Sequence, residues 1–294
     1  MAAVNVTPID ELPHWGQRAT DGHKGSYGTV LIVAGSRGMA GAAILCGRAA
    51  LRAGAGLVRV ACPQSVQSVV AAGHPCYMTL GIRQHADGAL SEGAAADVIE
   101  WGRAATVVAI GPGLGHTPDA ACLIREVVQG LPRTPIVIDA DGLNALAPFT
   151  DEFKTRPIPL ILTPHPGEFA RLSGASMSQI HAHRETLAVE FAARFGVVLL
   201  LKGSGTVVTD GRRVYQNSTG NPGMATGGSG DVLTGVIAAL LGQHLSPFEA
   251  AILGAWVHGR AGDLAATELG QTGLTSADLP DSLPAVFREL EARW

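Results

Sequence analysis

The chain has 294 residues, 47% hydrophobic and only 16% charged, so it can bury a large core and is not a disordered polymer. A net charge of −4 with no basic tract argues against a nucleic-acid or membrane-surface partner. No apolar run is long enough to span a bilayer, and the opening MAAVNVTPIDELPHW lacks a signal-peptide pattern, so a cytoplasmic location is expected.

Residues 1–23 are polar and irregular and are expected to form an N-terminal arm on a single domain spanning 24–294. From Lys24 onward a repeating order of short strand, glycine turn and amphipathic helix begins. Residues 29–34 (TVLIVA) read as a strand apolar on both faces, as in a parallel sheet covered on both sides. GSRGMAG then turns into a helix over 42–53, and LVRVA at 57–61 is the next strand, followed by a helix over 64–72. A weaker stretch follows, with a helix expected over 91–101.

Strands are expected at 106–110, 135–139, 160–162 and 197–201, with a helix through 129, another opened by TPHPGE at 163–168, and a third over 178–195. Residues 207–209 and 213–216 suit a hairpin turned at Asp210-Gly211, and helices are expected at 231–241, 247–269 and 282–293. Strands alternating with helices predict an α/β fold with a doubly wound, mainly parallel sheet flanked by helices. The apolar residues 250–257 suit either the core or a subunit interface. The four cysteines, Cys46, Cys62, Cys76 and Cys122, are scattered and suggest neither a disulfide framework nor a zinc site.

In such folds the loops after the strands carry the chemistry. The most informative is NSTGNPGMATGGSGDVLTG at 217–235, a glycine-rich loop running into an apolar helix. Free backbone N–H groups, the positive end of the helix dipole and the lack of Cβ atoms together suit a phosphate. Asp231 stands on the first helical turn. It makes a sound helix start, but that does not explain the loop before it. A carboxylate beside a phosphate cradle has reason to be there if it deprotonates a hydroxyl or faces a metal, so Asp231 is the candidate catalytic base.

GPGLG at 111–115 does not match the dinucleotide fingerprint, and no Walker P-loop occurs, so any nucleotide is held another way. Lys202, after VVLLL and before GSG, is well placed to meet phosphate. His165, between two prolines, is expected to open on the crevice, and Glu168 shares its helix face at i, i+3 spacing. A protein-caged metal is not expected there. A water-bridged Mg²⁺ travelling with a nucleotide, associated with Glu168, is. Asp139 and Asp141 are equally read as functional or as a strand-end turn and helix cap.

The ordered set KGSYGTVLIVAGSRGMAGAAIL, LRAGAGLVRVA, GPGLG, DADGLNAL, TPHPGEFARL, KGSGTVVTDG and NPGMATGGSGDVLTG resembles the NAD(P)H-hydrate dehydratases of the ribokinase-like superfamily. The resemblance runs from Lys24 to the C-terminal SLPAVFREL. It implies dehydration of the (S) hydrated adducts NADHX and NADPHX back to NADH and NADPH. A nucleotide phosphorylates the adduct's hydroxyl and phosphate then leaves. Bacterial members typically use ADP, giving AMP, and eukaryotic ones ATP; ADP is expected here.

Carried over by motif, Ala42 or Ala43, Gly113, His165 and Asp231 would contact the hydrated cofactor. Lys202, Gly203, Ser204, Gly205, Thr206 and Gly230 would contact the adenine nucleotide, and Gly228, Ser229 and Gly230 would form the anion hole. The resemblance further implies a homo-oligomer, often a tetramer. With only the arm preceding the match, epimerase activity is not expected. The competing readings are a ribokinase-like kinase of a vitamin precursor, of hydroxyethylthiazole or hydroxymethylpyrimidine type, and a non-catalytic nucleotide sensor.

Overall fold

The computed structural model describes residues 6–86, 88, 90, 91, 93–154 and 156–293. Its first half contains β1 (Thr7–Pro8), β2 (Thr29–Val33), α1 (Ala40–Arg52), β3 (Leu57–Pro63), α2 (Gln64–Ala72), β4 (Met78–Ile82), α3 (Ala94–Arg103), β5 (Val107–Ile110) and α4 (Pro118–Gly130). There follow β6 (Ile136–Ile138), α5 (Asp141–Ala145), β7 (Ile161–Leu162), α6 (Pro166–Ser173), α7 (Met177–Ala182), α8 (Arg184–Phe195) and β8 (Val198–Leu201). The strands β9 (Val207–Thr209) and β10 (Arg213–Gln216) precede the helices α9 (Ser229–Gly242), α10 (Pro247–Leu269) and α11 (Leu279–Glu291).

One ten-stranded sheet has the order β1-β10-β9-β8-β7-β6-β5-β2-β3-β4. Every neighbouring pair from β8 through to β4 is parallel, whereas β9 runs antiparallel to both its neighbours. Parallel strands need crossovers that cover both faces, which is why β5, β6 and β8 are buried at every position. The side chains alternate between two cores. Val30 and Ile32 pack with α1, α9, α10 and α11, while Leu31 and Val33 pack with α3, α4, α6 and α8.

The chain builds outward from β2 through β3 to β4, then returns to β5 on the other side of β2. The loops leaving β2 and β5 therefore diverge at the carboxyl ends of neighbouring strands, which opens a crevice. No helix among the described residues is long and apolar enough to cross a membrane.

Several elements differ from expectation. The helix expected over 178–195 is two helices, parted at His183, whose φ of −134° and ψ of 40° are not helical. Strand β4 lacks a clear sequence signal because it lies at the sheet edge, with Met78 exposed and only Ile82 buried. The expected arm is more than a packed tail. Thr7–Pro8 pairs in parallel with β10, and Trp15, buried, sets its ring 5.0 Å from that of Phe287 on α11. Residues 1–5 of that arm, Glu92 of the helix expected over 91–101, and residue 294 lie outside the described residues. The apolar residues 250–257 are buried within the chain itself, so they serve the core and present no open subunit face.

Candidate active site

Helix α9 begins without the usual side-chain cap. Its N-cap is Gly228, at φ 94°, and no side chain accepts from the first turn. The four N–H groups at a helix start have no partner inside the helix, and the dipole is positive there. An uncapped fourteen-residue helix therefore presents free donors to an anion. The loop before it is pinned from α10. Asp263 accepts from the Gly220 N–H at 3.0 Å and from Asn221 Nδ2 at 3.1 Å, and Asn221 Oδ1 accepts from the Gly223 N–H.

Beneath the helix start lies a buried charge pair. Asp139, at the end of β6 and 1% exposed, accepts from Lys202 Nζ at 2.7 Å and from Thr234 Oγ1 at 2.9 Å. Burial would lower the Lys202 ammonium, but Asp139, Glu168 and Asp231 outweigh it and pull its pKa above the usual range. Asp231 is the counterpart. Burial, reinforced by Asp139 and opposed by Lys202, lifts its carboxyl to about 7. A carboxylate poised near neutrality can take a proton at working pH and release it again.

Ala140, between Asp139 and Asp141, has φ 50° and ψ −118°, a conformation that L-residues rarely adopt. The kink gives its neighbours separate tasks. Asp139 meets Lys202, whereas Asp141 accepts from the Gly115 N–H at 2.7 Å and lies 3.2 Å from His116 Nε2. Both aspartates thus have tertiary partners, and the reading of DADG as a turn and cap alone is too weak.

A cavity of about 670 Å³ opens beside α9, with Ser229, Gly230, Lys202, Gly203, Ser204, Gly205, Thr206 and His165 in its wall. The Lys202–Thr206 loop is braced from below by Arg184 at the start of α8, which donates to the carbonyls of Leu201 at 2.6 Å and Ser204 at 2.8 Å. Gly203 has φ 140°, and a Cβ there would stand 2.8 Å from the Arg184 guanidinium, so glycine is required for this approach. Asp231 is not in that wall. The charges acting on it are those of Asp139, Lys202 and Asp141.

The expected residues separate into groups. Gly113, at φ 63°, lies against Ala42, where a Cβ would meet the Ala42 methyl at 2.9 Å. Ala43 is fully buried in the core, which leaves half-buried Ala42 as the member of the pair near the crevice. His165 lines the cavity with the Lys202–Thr206 loop and is not grouped with Ala42 and Gly113. Its Nδ1 caps α6 by accepting from the N–H groups of Gly167 and Glu168, while its Nε2 lies 3.4 Å from Glu168 Oε1.

Glu168 is buried, accepts from the His165 N–H at 2.8 Å, and lies 4.0 Å from Lys202 Nζ. Burial pushes its carboxyl up, with Lys202 opposing. No group of three or more His, Cys, Asp or Glu among the described residues could hold a metal ion. A Mg²⁺ held by one carboxylate, water and nucleotide phosphates needs no such group, and Glu168 is the carboxylate beside Lys202 at this cavity.

Sequence reading passed over Thr234, Arg184, Asp263 and His258. Arg184, Asp263 and His258 lie on helices α8 and α10, where the apolar periodicity hides them. Only the polar run VHGRAGD inside an otherwise apolar α10 gives a signal.

A parallel sheet between helical layers, with an uncapped glycine-led helix at its carboxyl edge, is the ribokinase-like fold. The chain belongs to the NAD(P)H-hydrate dehydratase family, whose model matches residues 30–285. It is 50% identical over 277 residues to the bifunctional NAD(P)H-hydrate repair enzyme of Moorella thermoacetica, covering 94% of this chain and 52% of that protein. It is 38% identical over 277 residues to the ADP-dependent (S)-NAD(P)H-hydrate dehydratase of Neisseria meningitidis, covering 91% and 88%. The structure of the ADP/ATP-dependent NAD(P)H-hydrate dehydratase from Bacillus subtilis, co-crystallised with ATP and Mg²⁺, superposes with a TM-score of 0.79 at 32% identity, covering 96% of this chain and 100% of that one. The chain spans about half the length of the bifunctional relatives it matches.

Proposed function

We propose that this chain dehydrates (S)-NADHX and (S)-NADPHX to NADH and NADPH, consuming ADP and releasing AMP and phosphate. One observation carries the chemistry. Asp231, with its carboxyl lifted to about 7, stands in the first turn of a helix whose N–H groups have no side-chain cap. A proton acceptor and an anion site are thereby adjacent. The names of the Moorella and Neisseria relatives, which specify NAD(P)H-hydrate, supply the substrate class.

In this reading Asp231 takes the proton from the adduct's hydroxyl as the oxygen attacks the terminal phosphorus of ADP, and the bond to AMP breaks. The N–H groups at Gly228 to Gly230 meet the charge that develops on the transferred phosphoryl group. The ring nitrogen then expels phosphate, and loss of a ring-carbon proton restores the reduced nicotinamide. Lys202 to Thr206 and Gly230 hold the nucleotide. His165 works from the same cavity wall, while Ala42 and Gly113 bound the nicotinamide side. Glu168 holds the turn of His165 and the position of Lys202. Any magnesium ion arrives with the nucleotide, and no step is assigned to it.

Donor length follows from how deeply the nucleotide sits relative to Gly228 to Gly230, because in-line geometry supplies most of the catalysis. The Neisseria relative is named ADP-dependent and the Bacillus one ADP/ATP-dependent, which supports ADP. Incubation with hydrated NADH and a single donor, followed by absorbance of the regenerated NADH and chromatography of the nucleotide pool, tests the reading. AMP formed from ADP is the expected result. ADP accumulating from ATP, with ADP itself inert, overturns the donor assignment. No turnover with either donor overturns the dehydratase assignment.

A further inference from the structure

Ser229 and His258 meet where α9 begins. Ser229 Oγ lies 3.2 Å from His258 Nε2, and both residues line the cavity beside Lys202. The serine hydroxyl does not cap its own helix, since no side chain accepts from the first turn of α9. Ser229 stands one residue past the Gly228 N-cap, so its hydroxyl is not drawn into capping and can engage a histidine from α10.

We propose that neutral His258 donates from Nε2 to Ser229 Oγ, turning the Ser229 hydroxyl proton toward the anion site as a side-chain donor to the terminal phosphate of a nucleoside diphosphate. This assignment rests on the reading above. A neutral imidazole carries a single N–H, and its place is set by what each nitrogen faces. Nε2 faces the Ser229 hydroxyl at 3.2 Å, so an N–H carried on that nitrogen is donated to Oγ. Burial, aided by nearby Lys202, depresses the imidazole to about 4 and keeps it neutral at working pH. With the Oγ lone pair occupied, the hydroxyl has its proton left to give. The uncapped N–H groups of α9 mark where an acceptor would lie. His258 is thus a positioning residue, and Ser229 is the group that touches the ligand.

A double-mutant cycle decides it, using the full chain throughout. Ser229→Ala lowers kcat about 10- to 100-fold, the size expected for losing one hydrogen bond to a charged group. His258→Ala lowers it less, adds nothing in the Ser229→Ala background, and is rescued by His258→Gln, which keeps an N–H. Calorimetric titration reads the same bond without turnover. Ser229→Ala and His258→Ala each weaken ADP several-fold and leave AMP unchanged, and the double variant loses no more than Ser229→Ala. Additive losses, equal losses for ADP and AMP, or wild-type ADP affinity in Ser229→Ala overturn the proposal. If His258→Ala does not fold, the comparison of Ser229→Ala with His258→Gln decides by the same criteria. Failure of the wild-type protein to turn over hydrated NADH overturns the functional reading instead, and the titration still decides this one.

Discussion

Lys202 and Asp139 form a buried ion pair, Nζ to Oδ1 at 2.7 Å, directly beneath the backbone of Gly230. A Cβ on Gly230 would stand 3.1 Å from Lys202 Nζ and 3.3 Å from Asp139 Oδ2. Carboxylate, ammonium and helix start are therefore stacked so closely that a methyl group between them would press on both charges. The pair ties the end of β6 to the end of β8 and brings a lysine cation under the anion site. It also places the charge that helps hold Asp231 in its protonated form.

Replacing Gly230 by Ala tests that stacking. Alanine favours a helix over glycine by up to about 1 kcal/mol, so denaturant unfolding should change by no more than that amount. The ion pair must shift by a few tenths of an ångström, and turnover should fall on the order of 10- to 100-fold. Wild-type turnover in a folded Gly230→Ala variant would show that the close approach is incidental.

Asp231→Asn should keep ADP binding and lower turnover by about 10²–10⁴-fold, the usual contribution of a positioned base. In the wild type, kcat/KM should rise with pH through about 7, as the carboxyl ionises. Stability should run the other way. A carboxyl whose pKa is raised in the fold binds more protons folded than unfolded, so stability falls as pH climbs from the ordinary carboxylate range to about 7. Melting scans at pH 5 and at pH 8 should show Asp231→Asn losing this slope. A variant retaining more than about a tenth of the rate would exclude Asp231 as the base.

Asp139→Asn leaves Lys202 without its partner at 2.7 Å in a site where Asp139 is 1% exposed. Breaking a buried pair from one side costs about 3–5 kcal/mol. The same change removes a charge that lifts the Asp231 carboxyl, so the acid limb of kcat/KM should move to lower pH. Urea unfolding reads the first effect and the pH profile the second. An unmoved acid limb would show that burial alone sets Asp231.

Arg184→Ala removes the fork that holds the Leu201 and Ser204 carbonyls. The Lys202–Thr206 loop then has to be ordered by the nucleotide, and ADP should bind on the order of tenfold more weakly, equivalent to about 1.4 kcal/mol. At saturating ADP, kcat should hardly change, because the interaction serves ground and transition states alike. Lysine should not rescue, since it cannot span both carbonyls. Steady-state kinetics with varied ADP separates the two parameters.

Much of this protein is local in origin and was legible residue by residue. The apolar strands 29–33 and 107–110, the Asp210-Gly211 hairpin and the glycine-led start of α9 each follow from their own composition. The motif order NPGMATGGSGD after KGSGT identifies the family and makes Asp231 the candidate base. Backbone conformation and hydrophobic periodicity act over a few residues, so a one-dimensional reading captures them.

What joins those pieces was not legible. Asp139 and Lys202 are 63 positions apart, Asp139 and Thr234 are 95 apart, and Ser229 meets His258 from a different helix. The sheet order returns β5 beside β2 and gathers the ends of β6 and β8 under α9, and only then do these charges come within reach of one another. The edge strands β1 and β4 were hidden for a related reason: both residues of β1 are exposed and only Ile82 of β4 is buried, which blurs the apolar pattern. Composition fixed which groups exist, while their pKa values and partners depend on burial and on distances of a few ångströms. Coulomb and desolvation energies vary steeply over just those distances, so only the folded chain decides them.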